Sequence, residues 1–288
     1  MQNQQTLFLV PPKVELAELK NLFFQLSSKT CNLKCKYCYI ERDPYKNEAD
    51  FMDIEKIKRT LLCVKNMPLN SIYLTGGEPL MHPDFNQILR MCLKISNTTV
   101  MSNGIMINDK KARFLRKIDD ESEFETIYRI SLDSVNELEN DMYRGRGSFR
   151  KALGAILSLV KYEFNPIISV VNYSNKSRDE IFSEFQSYFS KKGFILEDIN
   201  LKIIPCFSSD REYKEIQGNE EINLSVLDCY NSRIVSQKGV YACPLLVNDY
   251  RARLGSEIDN SSFVNYLDCE KCSVCLNNTN KVMVNDWM

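Results

Sequence analysis

Eleven cysteines and a single histidine, His82, set the chemistry open to this chain. Cys31, Cys35 and Cys38 fall at i, i+4 and i+7 within Thr30-Cys31-Asn32-Leu33-Lys34-Cys35-Lys36-Tyr37-Cys38-Tyr39. Three thiols in one short loop can converge on a cubane and leave its fourth iron without a protein ligand. An open coordination position marks a catalytic rather than a structural centre, by the argument used for zinc. Structural zinc with a fourth ligand from elsewhere is the alternative. A second group comes much later. Cys229 and Cys243 are separated by thirteen residues that include Gly239, and Cys269-x2-Cys272-x2-Cys275 follows. Five thiols for four iron sites leave a choice. The preferred set is Cys229, Cys243, Cys269 and Cys272; a competing set ends on Cys272 and Cys275. A zinc knuckle stapling a small domain is the alternative here.

The same counts exclude a good deal. With one His, a Ser-His-Asp hydrolase, a two-His zinc hydrolase or a facial-triad oxygenase would have to rest on His82 alone. An odd, high cysteine number without an export signal argues for metal or redox chemistry over a disulfide framework. Net charge is −1 with both signs interleaved, so neither nucleic acid nor an anionic membrane is expected as partner. The N-terminus opens polar, without the basic start and apolar core of a signal peptide, and no apolar run is long enough to span a bilayer. A cytoplasmic location is expected. Of the other cysteines, Cys63 and Cys92 lie in helical patterns and read as small buried hydrophobes.

These thiols need elements to position them. The hydrophobic fraction of 44% is enough for a sizeable core, and 288 residues suit a main domain plus a modest appendage. Strand-like runs at 22–26, 71–74, 98–101, 126–132, 167–171 and 200–204 alternate with helical patterns at 54–64, 85–95, 110–118, 149–162 and 180–191. Such alternation implies a parallel sheet with helices on its outer face and reactive groups on loops beyond the C-terminal strand ends. The alternation stops after Ile204, and the polar stretch at 207–223 predicts a boundary: 1–206 as the main unit, 207–288 as linker and small cysteine-rich domain. Cys206 would sit at the mouth, directly after the sixth strand.

Cys-x3-Cys-x2-Cys with an aromatic before the third cysteine resembles the signature of the radical S-adenosylmethionine (SAM) enzymes. Gly76-Gly77-Glu78-Pro79 after the second strand resembles that family's GGEP loop, where glycines permit close backbone approach and carbonyls with a carboxylate accept from an ammonium. Ser102-Asn103-Gly104, Ser131-Leu132-Asp133-Ser134 and Asp141-x2-Arg144-Gly145-x-Gly147-Ser148-Phe149 also resemble family stretches in order. The resemblance implies a partial (βα)6 TIM-like barrel and a [4Fe–4S] cluster on Cys31, Cys35 and Cys38. It implies SAM held by the 76–79 loop, with Ser102, Asn103, Ser131, Asp133 and Arg144 around it and Tyr37 contacting adenine through its backbone. Reductive cleavage of SAM would give a 5′-deoxyadenosyl radical that takes a hydrogen from a substrate C–H, with a flavodoxin- or ferredoxin-type protein as electron donor. The second cysteine group resembles the twitch form of the SPASM domain and implies a second, auxiliary [4Fe–4S] cluster, although its last spacing is shorter than usual.

Two substrate classes follow. The first is a small molecule such as a sugar or natural-product precursor, oxidised or epimerised; the second is a ribosomally made peptide, cross-linked or epimerised. Only about twenty residues precede the first strand, which leans the expectation toward the small molecule. Cys206 or Cys275 is a candidate hydrogen donor in an epimerisation. A non-catalytic zinc or electron-transfer module would leave the Gly-Gly-Glu-Pro loop without a purpose.

Overall fold

Runs rich in Ile, Val, Thr, Phe and Tyr alternate with amphipathic stretches, and in the computed structural model each such run becomes a strand. The structure describes residues 13–38, 40, 50–174, 176–193, 200–206, 225, 227–247, 249–259, 264–267, 272 and 275. In chain order these form β1 (Lys13–Glu15), β2 (Asn21–Gln25), α1 (Ile54–Val64), β3 (Ser71–Thr75), α2 (Phe85–Cys92), β4 (Thr98–Ser102), α3 (Asp109–Asp120), β5 (Thr126–Ser131), α4 (Glu137–Arg144), α5 (Ser148–Lys161), β6 (Ile167–Asn172), α6 (Arg178–Ser190), β7 (Asn200–Pro205), β8 (Ser232–Ser236), β9 (Gly239–Tyr241), β10 (Arg253–Gly255) and β11 (Val264–Tyr266).

Strands β2 to β7 lie side by side in sequence order, all parallel, as βα repeats dictate. This is the partial (βα)6 TIM-like barrel. Strands β2 and β3 are buried at every position, as parallel strands covered on both faces must be. One face packs on the helices: Leu22, Phe24, Ile72, Leu74, Val100 and Ile130 meet Ile57, Leu61, Ile88, Leu115, Ile156 and Leu159 in one core. The helices start where their caps say. Asp53, Asn108, Asn136 and Ser177 each accept from a backbone N–H of the first turn, and Ser177 with Glu180 forms a reciprocal capping box. Among the described residues no helix is long and apolar enough to cross a membrane.

One expectation changes, and helix α4 adds an element outside the predicted pattern. Cys63 is exposed rather than buried, because α1 turns Ile57, Thr60, Leu61 and Val64 inward and leaves Cys63 on the far side. The C-terminal region also does more than append. Strand β8 pairs in parallel with β2, through Asn21↔Ser232 to Phe24↔Val235, and β9 and β10 extend the same nine-stranded sheet in antiparallel fashion. Strand β11 reaches back to β1. The expected boundary at 207–223 lies outside the described residues.

Candidate functional site

Parallel strands point their C-terminal ends to one rim, and the loops leaving β2, β3, β4 and β5 meet there. The loop after β3 is stitched onto the loop that carries the first three thiols. Gly77 N donates to Ser27 O at 3.0 Å and Glu78 N to Thr30 O at 2.9 Å. The approach is too close for side chains. A Cβ on Gly77 would lie 2.2 Å from the Thr30 carbonyl oxygen, and one on Gly76, whose φ is +132°, 2.5 Å from that of Ser27. The Gly-Gly pair therefore sets the distance between the two loops.

Glu78 holds the next loop. Its carboxylate accepts from Ser102 Oγ at 2.8 Å, Leu80 N at 3.2 Å and Asn103 N at 2.9 Å. Complete burial pushes its carboxyl up from the ordinary value, against these three donors. Asn103 then turns toward the thiols: its Nδ2 donates to Asn32 Oδ1 at 2.7 Å and lies 3.7 Å from Cys31 Sγ. Leu33 N donates to the same sulfur at 3.4 Å. Donors aimed at sulfur are one means by which proteins tune iron–sulfur centres, were this thiol to hold one.

On the opposite rim Arg144, buried at the end of α4, donates to Asp133 Oδ2 at 3.2 Å and to the Tyr37 hydroxyl at 2.7 Å. The Tyr37 hydroxyl in turn donates to Asp133. Val171 N donates to the second Asp133 oxygen at 2.9 Å, so both oxygens of the carboxylate are engaged. Burial pushes Tyr37 well above its ordinary range and opposes the charge on Arg144, but Asp133 and Tyr37 hold Arg144 protonated. Cys35 lies against this network, its Sγ 3.8 Å from Arg144 O. Burial pushes its thiol up, and the guanidinium opposes that.

These pieces surround one cavity of about 250 Å³. Of the sequence-predicted residues, Cys31, Cys35, Cys38, Tyr37, Gly76, Gly77, Ser102, Asn103, Ser131 and Arg144 line it, and so do Cys229, Cys243, Cys272 and Cys275. Glu78, Pro79 and Asp133 stand behind the lining; Asp133 and Glu78 hold its members in place. Cys206 is buried and is not among the lining residues. Cys269 lies outside the described residues. The remaining wall is mostly apolar, with Phe23, Met101, Val171, Ile204, Leu246 and Leu267, and carries Arg129, Ser169, Thr75 and Asn265 as its polar members.

Among the described residues no group of three or more His, Cys, Asp or Glu side chains closes on a point as ligands of a single metal ion would. Both groups of thiols line the one cavity. Soft donors, a Gly-Gly cradle and N–H groups directed at sulfur fit an iron–sulfur cluster with SAM beside it.

Two buried arginines escaped the sequence reading. Arg129 on β5 lines the cavity and donates to Ser169 Oγ. Arg233 on β8 is buried and donates to the Cys229 carbonyl. The signal was present in both cases: a lone cation inside an apolar strand, as in Tyr128-Arg129-Ile130 and Arg233-Ile234-Val235. His82 is a loop anchor, its Nε2 2.9 Å from Met52 O and its Nδ1 accepting from Asp84 N.

Known proteins resemble this chain. The model of the radical SAM superfamily matches residues 26–181. The antilisterial bacteriocin subtilosin biosynthesis protein AlbA of Bacillus subtilis (strain 168) is 34% identical over 135 residues, 46% of this chain and 29% of AlbA. The chain thus matches less than a third of that relative's length. The GTP 3',8-cyclase of Peptoclostridium acidaminophilum is 25% identical over 226 residues, 65% of this chain and 66% of the cyclase. Among solved structures, SuiB of Streptococcus suis bound to SAM superposes with a TM-score of 0.63 at 16% identity, covering 85% of this chain and 65% of SuiB. SuiB bound to its precursor peptide SuiA superposes with a TM-score of 0.60. At such identity the likeness is one of fold.

Proposed function

Because the chain belongs to the radical SAM superfamily, whose members use a [4Fe–4S] cluster and SAM, we propose that Cys31, Cys35 and Cys38 hold that cluster and that the shared cavity is where a substrate C–H is attacked. The observation that carries this reading is that both thiol groups line one cavity. When bound, the cluster and SAM supply a 5′-deoxyadenosyl radical for hydrogen abstraction.

The chain's own residues do the rest. Gly76 and Gly77 offer backbone to the SAM amino group at close range. Arg144, kept charged by Asp133, and Ser131 face the cavity as partners for the SAM carboxylate or ribose. Glu78 acts through Ser102 and Asn103, whose positions it sets. Cys229 and Cys243, with two of Cys269, Cys272 and Cys275, hold an auxiliary cluster on the far wall. Of these three, Cys272 and Cys275 are among the described residues, and both line the cavity.

The wall between the thiol groups is mostly apolar. It suits a peptide side chain better than a sugar, whose hydroxyls would lose hydrogen bonds on leaving water. This and the likeness to AlbA support peptide maturation over the small-molecule expectation. The cyclase likeness supports a small-molecule substrate, and Arg129 at the cavity wall is a cation that an anionic one could use.

Anaerobic reconstitution tests the reading. About eight irons per chain are expected, four for each cluster, with 5′-deoxyadenosine released from SAM under dithionite. Replacing Cys31, Cys35 and Cys38 together by Ala should remove about four irons and abolish SAM cleavage. Replacing Cys229 and Cys243 should remove the other four and leave cleavage measurable. Zinc in place of iron, or no 5′-deoxyadenosine, overturns the proposal.

A further inference from the structure

Strand β8 carries a cation where a sheet interior ordinarily has none. Arg233 is 0% exposed, between β2 on one side and β9 on the other. A guanidinium taken wholly out of water costs several kcal/mol, on the order estimated for buried ions, unless its surroundings compensate. Its Nη1 donates to Cys229 O and Ser232 O, each at 2.7 Å. These carbonyls are dipoles; they orient the fork without cancelling its charge. Cys229, whose carbonyl it holds, packs with Cys243, Cys272 and Cys275 in one cluster of side chains, and a guanidinium keeps its charge throughout the physiological pH range.

We propose that Arg233 is the buried countercharge of the cluster bound by Cys229 and Cys243, and that it sets that cluster's reduction potential. The inference rests on the iron–sulfur reading of the second cysteine group. A thiolate-bound cluster gains one negative charge when it takes up one electron. A fixed cation beside it therefore stabilises the reduced form more than the oxidised form and raises the potential. Net charge, hydrogen bonding and exposure are the terms by which proteins tune such centres. The low dielectric of the site strengthens the effect. Arginine suits the task because its planar fork binds the Cys229 carbonyl while carrying the charge, so one side chain both pins the ligand loop and compensates the site.

Redox titration of the reconstituted full-length holoenzyme, followed by electron paramagnetic resonance, tests this as a positioning and tuning role. The signal of the first cluster is assigned by its change on adding SAM. In Arg233→Met the other cluster's wave should shift to more negative potential, while the SAM-sensitive wave stays in place. Arg233→Lys, which keeps the charge, should shift it less. A Met variant with full iron and an unmoved wave overturns the proposal. If the Met variant fails to take up the second cluster, retention of that cluster by the Lys variant supports the countercharge role. Loss in both variants overturns it in favour of a purely geometric one. About four irons in the unsubstituted protein would remove the auxiliary cluster itself, an outcome distinct from all of these.

Discussion

Two glycines decide how closely the cysteine loop and the loop after β3 can pack, and through them where a cluster and SAM could meet. In Gly77→Ala the new methyl would fall 2.2 Å from the Thr30 oxygen and 2.7 Å from its carbonyl carbon. Both are backbone atoms one residue before Cys31, so relief requires the cysteine loop itself to move. Overpacking of this kind costs about 1–3 kcal/mol, and here the displacement lands on ligands. The expected outcome is loss of about four irons per chain and of 5′-deoxyadenosine formation, with the second cysteine group still loaded. Iron analysis and a SAM-cleavage assay read both. An alanine variant with full iron and normal cleavage would show that the contact has no bearing on the site. The same scale separates residues that face the cavity from those that act behind it. Glu78 and Asp133 are fully engaged by Ser102, Asn103, Leu80, Arg144, Tyr37 and Val171. Their task is to hold neighbours.

At the scale of elements, Asp141 joins α4 to α5. Its carboxylate accepts from Phe149 N at 2.8 Å, from Ser148 Oγ at 3.0 Å and from Gly147 N, and so caps the first turn of α5 from within α4. Partial burial pushes its carboxyl up, but these donors outweigh burial and the net direction is down. A carboxyl lowered in the folded state stabilises above its unfolded value of about 3.9. That contribution is lost as pH falls through the lower folded value. Asp141→Ala should therefore destabilise by roughly 0.5–2 kcal/mol at neutral pH, the range for a lost N-cap. Urea midpoints of the two proteins should converge as pH falls through the folded value. A gap that persists at the acid end would assign the effect to packing rather than to the carboxylate. Arg144 ends α4, the helix that Asp141 ties to α5, so SAM affinity should weaken alongside.

The elements also show what was readable in advance. Strands β2 to β7 match their sequence runs to within about two residues, because βα alternation is written in local pattern. Helix α4 was missed despite Asn136 with Glu139 three residues on, a start signal obscured by a short and strongly polar helix. Cys31, Cys35 and Cys38 were legible because ligands of one loop are neighbours in sequence. The Arg144–Asp133–Tyr37 network spans 107 residues between its ends, so its members show in local stretches while their contacts do not. The pairing of β8 with β2 was invisible for the same reason.

On the scale of the whole molecule, that pairing makes the two thiol groups one site. The segment ahead of β2 bonds to the residues ahead of β8: Ala17 N to Tyr230 O at 3.0 Å and Lys20 N to Asn231 O at 2.8 Å. Ile234 and Tyr241 pack with Phe23 and Tyr73 in a small core of their own, on the cavity side of the sheet. Lys56 Nζ reaches Gln237 O at 3.2 Å, tying α1 to the β8–β9 turn. A chain cut after Cys206 would keep all six barrel strands yet lose these contacts. Removing large buried side chains costs about 2–5 kcal/mol each, against a typical domain stability of about 5–15 kcal/mol. It would also leave β2, buried at all five positions, as an open edge. Residues 1–206 alone are therefore expected to self-associate and to melt without a cooperative transition. Size-exclusion chromatography and thermal circular dichroism measure this. A monomeric 1–206 fragment with a sharp transition that still binds about four irons would make the barrel an independent unit. The C-terminal region would then be a lid over the cavity rather than part of its wall.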